Sequence, residues 1–349
     1  MMMSNYFELI QQVDHEAVFF VSDKTTGLRA FIALHNTRLG PGLGGIRMKA
    51  YPSEQAALED VLLLSKAMSY KNAMAGLNYG GGKALMILDK PEDKTPERLE
   101  ALARRIDLLK GSYYGAGDIG STTDDLRIMK RVTPYFGGLA QEDGGLGDSS
   151  TLTGLGVYLG MKAAFKAKTG SDSLAGKTVA VQGAGKVGFH LMSYLVKEGA
   201  LVKTSDVNSQ ALQYVKAQLP QVEVVTPHAL FETPVDVFSP NAVGGVITED
   251  LAQTLQTQVV AGGANNPLAT EQAGVILQHR DILFAPDFIV NAGGVILIAS
   301  EIEGKTYEQA KAHTETIYDN TLRVLEYAKA HSMLPHKAAI ALAEKRIFA

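Results

Sequence analysis

The segment Val179-Ala180-Val181-Gln182-Gly183-Ala184-Gly185-Lys186-Val187-Gly188 constrains this chain more than any other. A short apolar run enters glycines spaced Gly-x-Gly-x-x-Gly and leaves in a helical pattern. Gly183 permits a tight turn. Gly185 has no side chain to block an approaching pyrophosphate, and Gly188 lets the next helix pack close to the strand. The unpaired N–H groups at that helix start then face the phosphates. Such triplets also occur in ordinary turns, so the weight lies in the strand before and the helix after. A second apolar run ends at Asp206, 18 residues past Gly188. A carboxylate there accepts hydrogen bonds from both ribose hydroxyls of an adenosine and repels a 2′-phosphate. NAD is therefore favoured over NADP, although Lys203 is a cation near enough in sequence to soften the preference.

Around this motif strand and helix alternate. Candidate strands are 178–182, 201–205, 222–225, 235–238, 259–261 and 282–284, and helices between them predict a parallel, doubly wound sheet. Three strand ends read Ser239-Pro240-Asn241-Ala242, Gly262-Gly263-Ala264-Asn265-Asn266 and Ala285-Pro286-Asp287. They fall where an open parallel sheet receives the nicotinamide half of its ligand. Asparagines there suit a carboxamide or a substrate amine, and are equally ordinary as turn formers.

The 349 residues exceed one compact core and predict two domains. Before the motif, apolar runs 18–21 and 28–34 flank Asp23-Lys24-Thr25-Thr26-Gly27, a hairpin that starts an antiparallel, hence mixed, sheet. Ser53-Glu54 opens an amphipathic helix through Met68. Gly80-Gly81-Gly82 stops any helix and leads to Lys83 and a strand over 84–88. A helix over 96–110, a short strand near Tyr113 and a capped helix start at Ser121-Thr122-Thr123-Asp124-Asp125 follow. Glycine is frequent over 137–147, before a helix at 153–168, and this stretch is the expected hinge between domains. The helical segment 307–346 is expected to return to the first domain.

Several classes fall away on composition. A net charge of −4 with 20% charged residues gives no reason to expect nucleic acid or an anionic membrane as partner. The absence of cysteine excludes disulfides, thiolate nucleophiles and Cys-based metal sites, and suits a reducing cytoplasm. The eight histidines lack ligand spacing, so no metal is expected. Met1–Glu8 carries no basic region ahead of an apolar run, which argues against a signal peptide. Apolar stretches such as 290–299 are too short to span a bilayer.

Lys71, at the end of an apolar helix, Lys83, after the glycine run, and Asp118, within Gly115-Ala116-Gly117-Asp118-Ile119-Gly120, are candidates for chemistry. A desolvated lysine loses basicity and can act as a base near neutral pH. Two surface lysines and a loop aspartate is the reading that composition alone supports better.

Further blocks bear on that choice. Leu39-Gly40-Pro41-Gly42-Leu43-Gly44-Gly45-Ile46-Arg47, Met68-Ser69-Tyr70-Lys71-Asn72-Ala73 and Gly76-Leu77-Asn78-Tyr79-Gly80-Gly81-Gly82-Lys83 resemble signature blocks of the glutamate/leucine/phenylalanine/valine dehydrogenases. Residues 179–188, 261–266 and 285–294 extend the resemblance over nearly the whole chain, in order. Length and overall pattern lie nearest the leucine-specific members. The resemblance implies an α/β fold of two domains. One, 1–143 joined by about 325–349, is a substrate-binding and oligomerisation domain with a mixed sheet. The other, 144–324, is a Rossmann NAD-binding domain.

The resemblance also implies roles. Lys71 should bind the substrate α-carboxylate, Lys83 activate the water that attacks an imino acid, and Asp118 assist proton transfer at the amino nitrogen. The Gly44-Gly45 turn should pack against substrate with Met68, and Asn265 should bridge cofactor and substrate. Thr153, Gly183, Ala184, Gly185, Lys186, Val187, Gly188, Phe189, Asp206, Asn241, Ala242, Ala264 and Asn265 are the expected cofactor contacts. The implied reaction is reversible oxidative deamination of an L-amino acid to a 2-oxo acid, with release of ammonia and formation of NADH. Two domains would close to exclude water from it. The family also implies a homo-oligomer, an octamer or a dimer.

Glutamate-specific members hold the side-chain carboxylate with a lysine and a hydroxyl, where this sequence has Leu43 and Ile298. An apolar pocket strands a carboxylate. Ala116 and Val295 complete an aliphatic pocket, which points to leucine, valine or isoleucine. An aromatic or other apolar amino acid is the alternative, and a catalytically idle NAD-binding regulator is a third reading, opposed by the presence of Lys71, Lys83 and Asp118 together. Gly117, Asn241, Pro267 and the segment 141–150 depart from the family pattern, and they bear on substrate preference and on the geometry near Asp118.

Overall fold

The computed structural model describes residues 6–349. Met1–Asn5, part of the opening segment read as lacking a leader, lie outside them. The chain divides into two compact units: 1–148 with 297–307 and 343–349, and 149–296 with 308–342. Among the described residues no helix is long and apolar enough to cross a membrane.

The first unit is built on a five-stranded mixed sheet. Its strands are β1 (Ala17–Asp23), β2 (Leu28–Asn36), β3 (Gly42–Lys49), β4 (Gly80–Ile87) and β5 (Tyr113–Gly117), in the order β1-β2-β4-β3-β5. The hairpin β1–β2 is antiparallel as expected, β2 runs antiparallel to β4, and β3 is parallel to both β4 and β5. Strand alternation sends Phe31, Ala33, Leu85 and Ile87 to one face, where Ala57, Leu58, Val61 and Leu62 of helix Glu54–Met74 cover them. Ala30, Ile32, Ala84 and Met86 point the other way, onto Leu99, Leu102 and Ile106 of helix Pro96–Asp107 and Met129 of helix Thr123–Lys130. Ser53 caps the long helix, and Thr122 with Asp125 forms a capping box on Thr123–Lys130.

Two expectations need correction here. Gly80-Gly81-Gly82 does not precede the strand; it is the first part of β4, with Lys83 inside the strand. Helix Pro96–Asp107 stops short of Lys110 because Lys110 (φ 47°) and Gly111 (φ 87°) turn left-handed.

The second unit holds a six-stranded, wholly parallel sheet: β6 (Thr178–Gln182), β7 (Leu201–Ser205), β8 (Glu223–Val224), β9 (Val237–Pro240), β10 (Val259–Val260) and β11 (Leu283–Phe284). Their order, β11-β10-β9-β6-β7-β8, is the doubly wound arrangement of a dinucleotide-binding sheet, with the order reversing at β6. Val179, Val181 and Val237 face helices Ser150–Thr169 and Lys186–Glu198, whereas Ala180 and Phe238 face Leu230, Leu255 and Leu277 on the opposite side. The strand expected over 235–238 is displaced by two residues. Val235 bonds instead to Gln256, and Asp236 accepts the Thr178 N–H, so ladder pairing with β6 begins at Val237.

Residues 297–307, which the sequence reading leaves in the dinucleotide-binding domain, pack within the first unit, whereas of the C-terminal segment expected there, about 325–349, only 343–349 do so and 308–342 pack within the second. The Glu301 carboxylate accepts N–H groups of Gly138 and Leu139 on one oxygen, at 2.9 and 3.2 Å, and of Leu146 on the other, at 3.1 Å. One side chain thus anchors the glycine-rich stretch after β5.

Candidate active site

In the first unit the chemistry converges beside β3. Gly80, Gly81 and Gly82 leave no room for side chains: a Cβ would overlap the Asn36 carbonyl, the Ser65 carbonyl and the Tyr113 ring respectively. The glycine run therefore marks close approach of β4 to its neighbours and not a break. Asn72 holds the crowded edge together, donating from Nδ2 to the carbonyls of Gly80 (2.7 Å) and Leu43 (3.2 Å). The Tyr113 hydroxyl donates to the Gly44 carbonyl at 2.8 Å and fixes the Gly44-Gly45 segment.

Next in β4 stands Lys83, only 5% exposed. Its Nζ lies 2.8 Å from Asp118 Oδ2. The lysine reaches the aspartate past Gly45, where a Cβ would fall 2.7 Å from the Gly117 carbonyl and 2.8 Å from Asp118 Cβ. Asp118 follows β5 in a loop closed by Ser121, which accepts the Asp118 amide N–H and donates to its carbonyl, both at 2.8 Å. Burial lowers the Lys83 pKa from its ordinary value, against the attraction of Asp118. Burial pushes the Asp118 carboxyl upward, but Lys83 and Arg47 outweigh it and hold the group below the usual carboxylate range. The result is a desolvated lysine whose charge rests on one ionised partner.

Arg47, on β3, is the second cation on that partner. Its Nε contacts Asp118 Oδ2 at 3.0 Å and its Nη1 contacts Asp60 Oδ2, on helix Glu54–Met74, at 3.1 Å. Asp60 also accepts the Tyr51 hydroxyl, and Lys49 Nζ lies 3.8 Å away.

The remaining expected substrate residues of this unit are nearby in the fold. Lys71 is half-buried in the last turn of helix Glu54–Met74, and Met68 is one turn earlier beside Gly44. Ala116 pairs in register with Gly45. Leu43 is fully buried, so its side chain backs this region without reaching its surface. Ile298 is half-buried, and Gly137 approaches it so closely that a Cβ there would lie 3.1 Å from Ile298 Cγ2.

In the second unit the glycine turn follows β6. Gly183 has φ 103°, and a Cβ on Gly188 would overlap the Gly183 carbonyl. A Cβ on Gly185 would meet nothing within 4 Å, so its outer side is open where a phosphate would approach. Asp206 follows β7 directly, with Oδ2 accepting the Ala184 N–H at 2.6 Å and Oδ1 the Asn208 N–H at 2.8 Å. A pocket beside it is lined by Gly183, Asp206, Pro227, Leu230, Phe231 and Ala242, among others. Gln182 Oε1 and Ser205 Oγ, also in its lining, are buried without a hydrogen-bond partner. Lys203 is engaged at 3.2 Å by Glu223.

Asn241 Oδ1 accepts the Gly263 N–H at 2.8 Å, and a Cβ on Gly263 would meet Val187 at 2.9 Å, so the ends of β6, β9 and β10 meet here. Ala264 is buried, and Lys186 is exposed in the first turn of its helix. Asn265 Oδ1 accepts the Asn291 amide at 2.9 Å. Thr153 bonds back to the Ser149 carbonyl beside Gly294. Phe189 packs on Tyr214, with ring centroids 5.0 Å apart. Val295 is buried in helix Gly293–Ile302.

Sequence reasoning singled out Lys83 and Asp118 but missed Arg47, Asp60, Asn72, Tyr113, Asn291 and Glu301. Arg47 offered one signal, a cation placed two residues after Gly45 on a buried strand. Asn72 offered another, a polar residue within an apolar helical stripe.

Comparison with known proteins places these sites in context. The Glu/Leu/Phe/Val dehydrogenase dimerisation domain matches residues 15–135, and the Glutamate/Leucine/Phenylalanine/Valine dehydrogenase domain matches 144–214 and 200–349. The chain is 42% identical over 341 residues to leucine dehydrogenase of Bacillus cereus, covering 98% of this chain and 93% of that one. It is 40% identical over 346 residues to phenylalanine dehydrogenase of Thermoactinomyces intermedius, covering 99% and 94%. Among solved structures, L-tryptophan dehydrogenase from Nostoc punctiforme superposes with a TM-score of 0.86 at 38% identity, covering 98% and 99%.

Proposed function

The chain belongs to the glutamate/leucine/phenylalanine/valine dehydrogenase family, and from that premise we propose that it catalyses reversible NAD-dependent oxidative deamination of a branched-chain L-amino acid. In balance, the amino acid, NAD⁺ and water give the 2-oxo acid, ammonium, NADH and a proton. The observation that carries this reading is the desolvated Lys83 held 2.8 Å from an ionised Asp118.

The second unit suits the dinucleotide. The open side of Gly185, the buried unpartnered Gln182 Oε1 and Ser205 Oγ, and the Asp206 carboxylate at the end of β7 form a cradle for a pyrophosphate and an adenosine. Asn241, Ala242, Ala264 and Asn265 lie on the strand-end loops that would take the nicotinamide half, with Thr153, Lys186, Val187 and Phe189 on the flanking helices. With Lys203 engaged by Glu223, the charge facing a ribose is that of Asp206, which favours NAD. NAD, when bound, supplies acceptance of the hydride from Cα.

The protein's own groups do the rest. Lys71 holds the α-carboxylate. Lys83, in its neutral form, takes the proton of the water that adds to the imino carbon. Asp118 shuttles protons to and from the departing nitrogen. Ala116 and Ile298, backed by the fully buried Leu43, give the side chain apolar surroundings, in which a substrate carboxylate would cost several kcal/mol. Phenylalanine and tryptophan dehydrogenases at similar identity favour a second reading, the same chemistry on an aromatic amino acid. The description of residues 15–135 as a dimerisation domain supports a homo-oligomer, and the cysteine-free sequence suits the cytoplasm.

Initial rates of NADH formation with a panel of L-amino acids, run in parallel with NADP, test the proposal. Turnover is expected with leucine, valine and isoleucine. No turnover with any amino acid refutes the enzyme reading, and a strong preference for phenylalanine refutes the aliphatic pocket. Lys83→Ala is expected to abolish turnover while NAD still binds.

A further inference from the structure

The first unit contains a line of alternating charge whose far half, Arg47 and Asp60, has no role above. It runs from Lys83 to Asp118 (2.8 Å), from Asp118 to Arg47 (3.0 Å) and from Arg47 to Asp60 (3.1 Å). Lys83 and Arg47 contact the same oxygen, Asp118 Oδ2. Arg47 is itself poorly exposed, with 13% of its side chain accessible, and its guanidinium is fixed at both ends. A mobile surface arginine would not have that geometry. Tyr51 and Lys49 complete the far end at Asp60.

We propose that Arg47, anchored by Asp60, is a positioning residue that shares Asp118 with Lys83 and so lets Lys83 release its proton without leaving the half-buried Asp118 charge unpaired. The inference rests on the reading of Lys83 as the base. A lone Lys–Asp pair is a poor base. The ammonium and carboxylate stabilise one another, and deprotonation leaves a half-buried anion without its partner. With Arg47 present, Asp118 keeps a cation and a hydrogen-bond donor when Lys83 becomes neutral. The same arginine repels the lysine ammonium through the shared oxygen. The charged groups acting on Lys83 are Arg47 from β3, Asp118 from the loop after β5 and Asp60 from helix Glu54–Met74. Asp60 favours the ammonium, but the Tyr51 hydroxyl and Lys49 hold part of its charge. Replacing Arg47 by a neutral residue therefore removes the nearest opponent of the lysine proton.

Two like charges about 5–6 Å apart at a partly buried site correspond to roughly one to two pH units. In Arg47→Gln the acidic limb of the kcat/KM profile for L-leucine oxidation should move up by about that much. Comparison with the wild type cancels the titration of the substrate amine. Arg47→Lys, which keeps the charge, should hold the limb near its wild-type position. Asp60→Asn should move it down, because the arginine charge then falls wholly on Asp118 and an acidic group is lost; it also serves if Arg47→Gln does not fold.

A second readout needs no turnover. Trace labelling of the intact protein with acetic anhydride across pH, with the Lys83 peptide read by mass spectrometry, should show the same shift in midpoint. Limb and midpoint unmoved in folded Arg47→Gln, or moved up in Asp60→Asn, overturn the inference. A wild type that turns over no amino acid, but whose Lys83 midpoint still moves in Arg47→Gln, supports the coupling and overturns the proposed reaction instead.

Discussion

Asp206→Asn perturbs the proposed cofactor preference with little change of shape. In the wild type one carboxylate oxygen accepts the Ala184 N–H at 2.6 Å and the other the Asn208 N–H at 2.8 Å. Asparagine keeps one acceptor and turns the other into a donor, so one backbone N–H of the turn loses its partner. Two terms then act on the cofactor. A hydrogen bond from a ribose hydroxyl to a charged acceptor is worth about 1.5–3 kcal/mol, and much of this is lost for NAD. For NADP, a 2′-phosphate of about −1.5 charge at about 5 Å from the carboxylate is repelled by about 1 kcal/mol in water and about 5 at a protein surface, so by about 2–3 between these limits. This penalty vanishes in the variant. Together the terms lower the NAD-to-NADP ratio of kcat/KM by about two to three orders of magnitude. Initial rates of reduced-cofactor formation with each dinucleotide, at low and high salt, measure it. The repulsive part should shrink with salt, since the screening length is about 10 Å at 0.1 M. A ratio that moves less than about threefold, or a wild type that uses NADP as well as NAD, refutes the assignment of Asp206.

Two further outcomes follow from the first unit. Burial lowers the pKa values of His15 and His35, whose rings meet edge-on at 4.9 Å, to about 4 each. Both are depressed below the unfolded value, so the neutral-histidine contribution is present above about pH 6.5 and is lost as pH falls toward about 4. Stability of the chain should fall by about 2–3 kcal/mol over that window, and a urea midpoint that stays level from pH 7 to 4.5 contradicts it. Gly45→Ala should displace Gly117 and Asp118 by a few tenths of an ångström and lower kcat/KM by roughly tenfold, with the circular dichroism spectrum unchanged. Near-wild-type turnover would show that Gly45 is not what lets Lys83 reach its partner.

The dinucleotide sheet was legible because its signals are local. β6 and β7 fall on the expected residues, since alternating apolar runs and a glycine turn are properties of adjacent positions. The mixed sheet was legible only in outline. Gly80-Gly81-Gly82 carries the composition of a turn, yet what requires glycine there is backbone and side chain from Asn36, Ser65 and Tyr113, none adjacent in sequence. Glu301 binds Leu139 across 162 positions, a separation that leaves no mark on either segment. The roles given to Lys71 and Lys83 came from resemblance to whole blocks of a family, because one lysine in a buried strand has no periodicity to betray it. Arg47 stayed unnoticed for the same reason. Its partners come from a helix and from a separate strand end.

The glycine run sets a limit on how this site can be redesigned. On the β4 side, Gly80, Gly81 and Gly82 have no side chains of their own to shorten, so substitution within the run cannot enlarge the space beside Lys83. Adding atoms there pushes on Asn36 from Gly80, on Ser65 from Gly81 or on Tyr113 from Gly82. Changes in the size of amino acid accepted are therefore expected to enter from the opposite side, at Ala116 and Ile298, where a side chain can be exchanged while Lys83 and Asp118 keep their places.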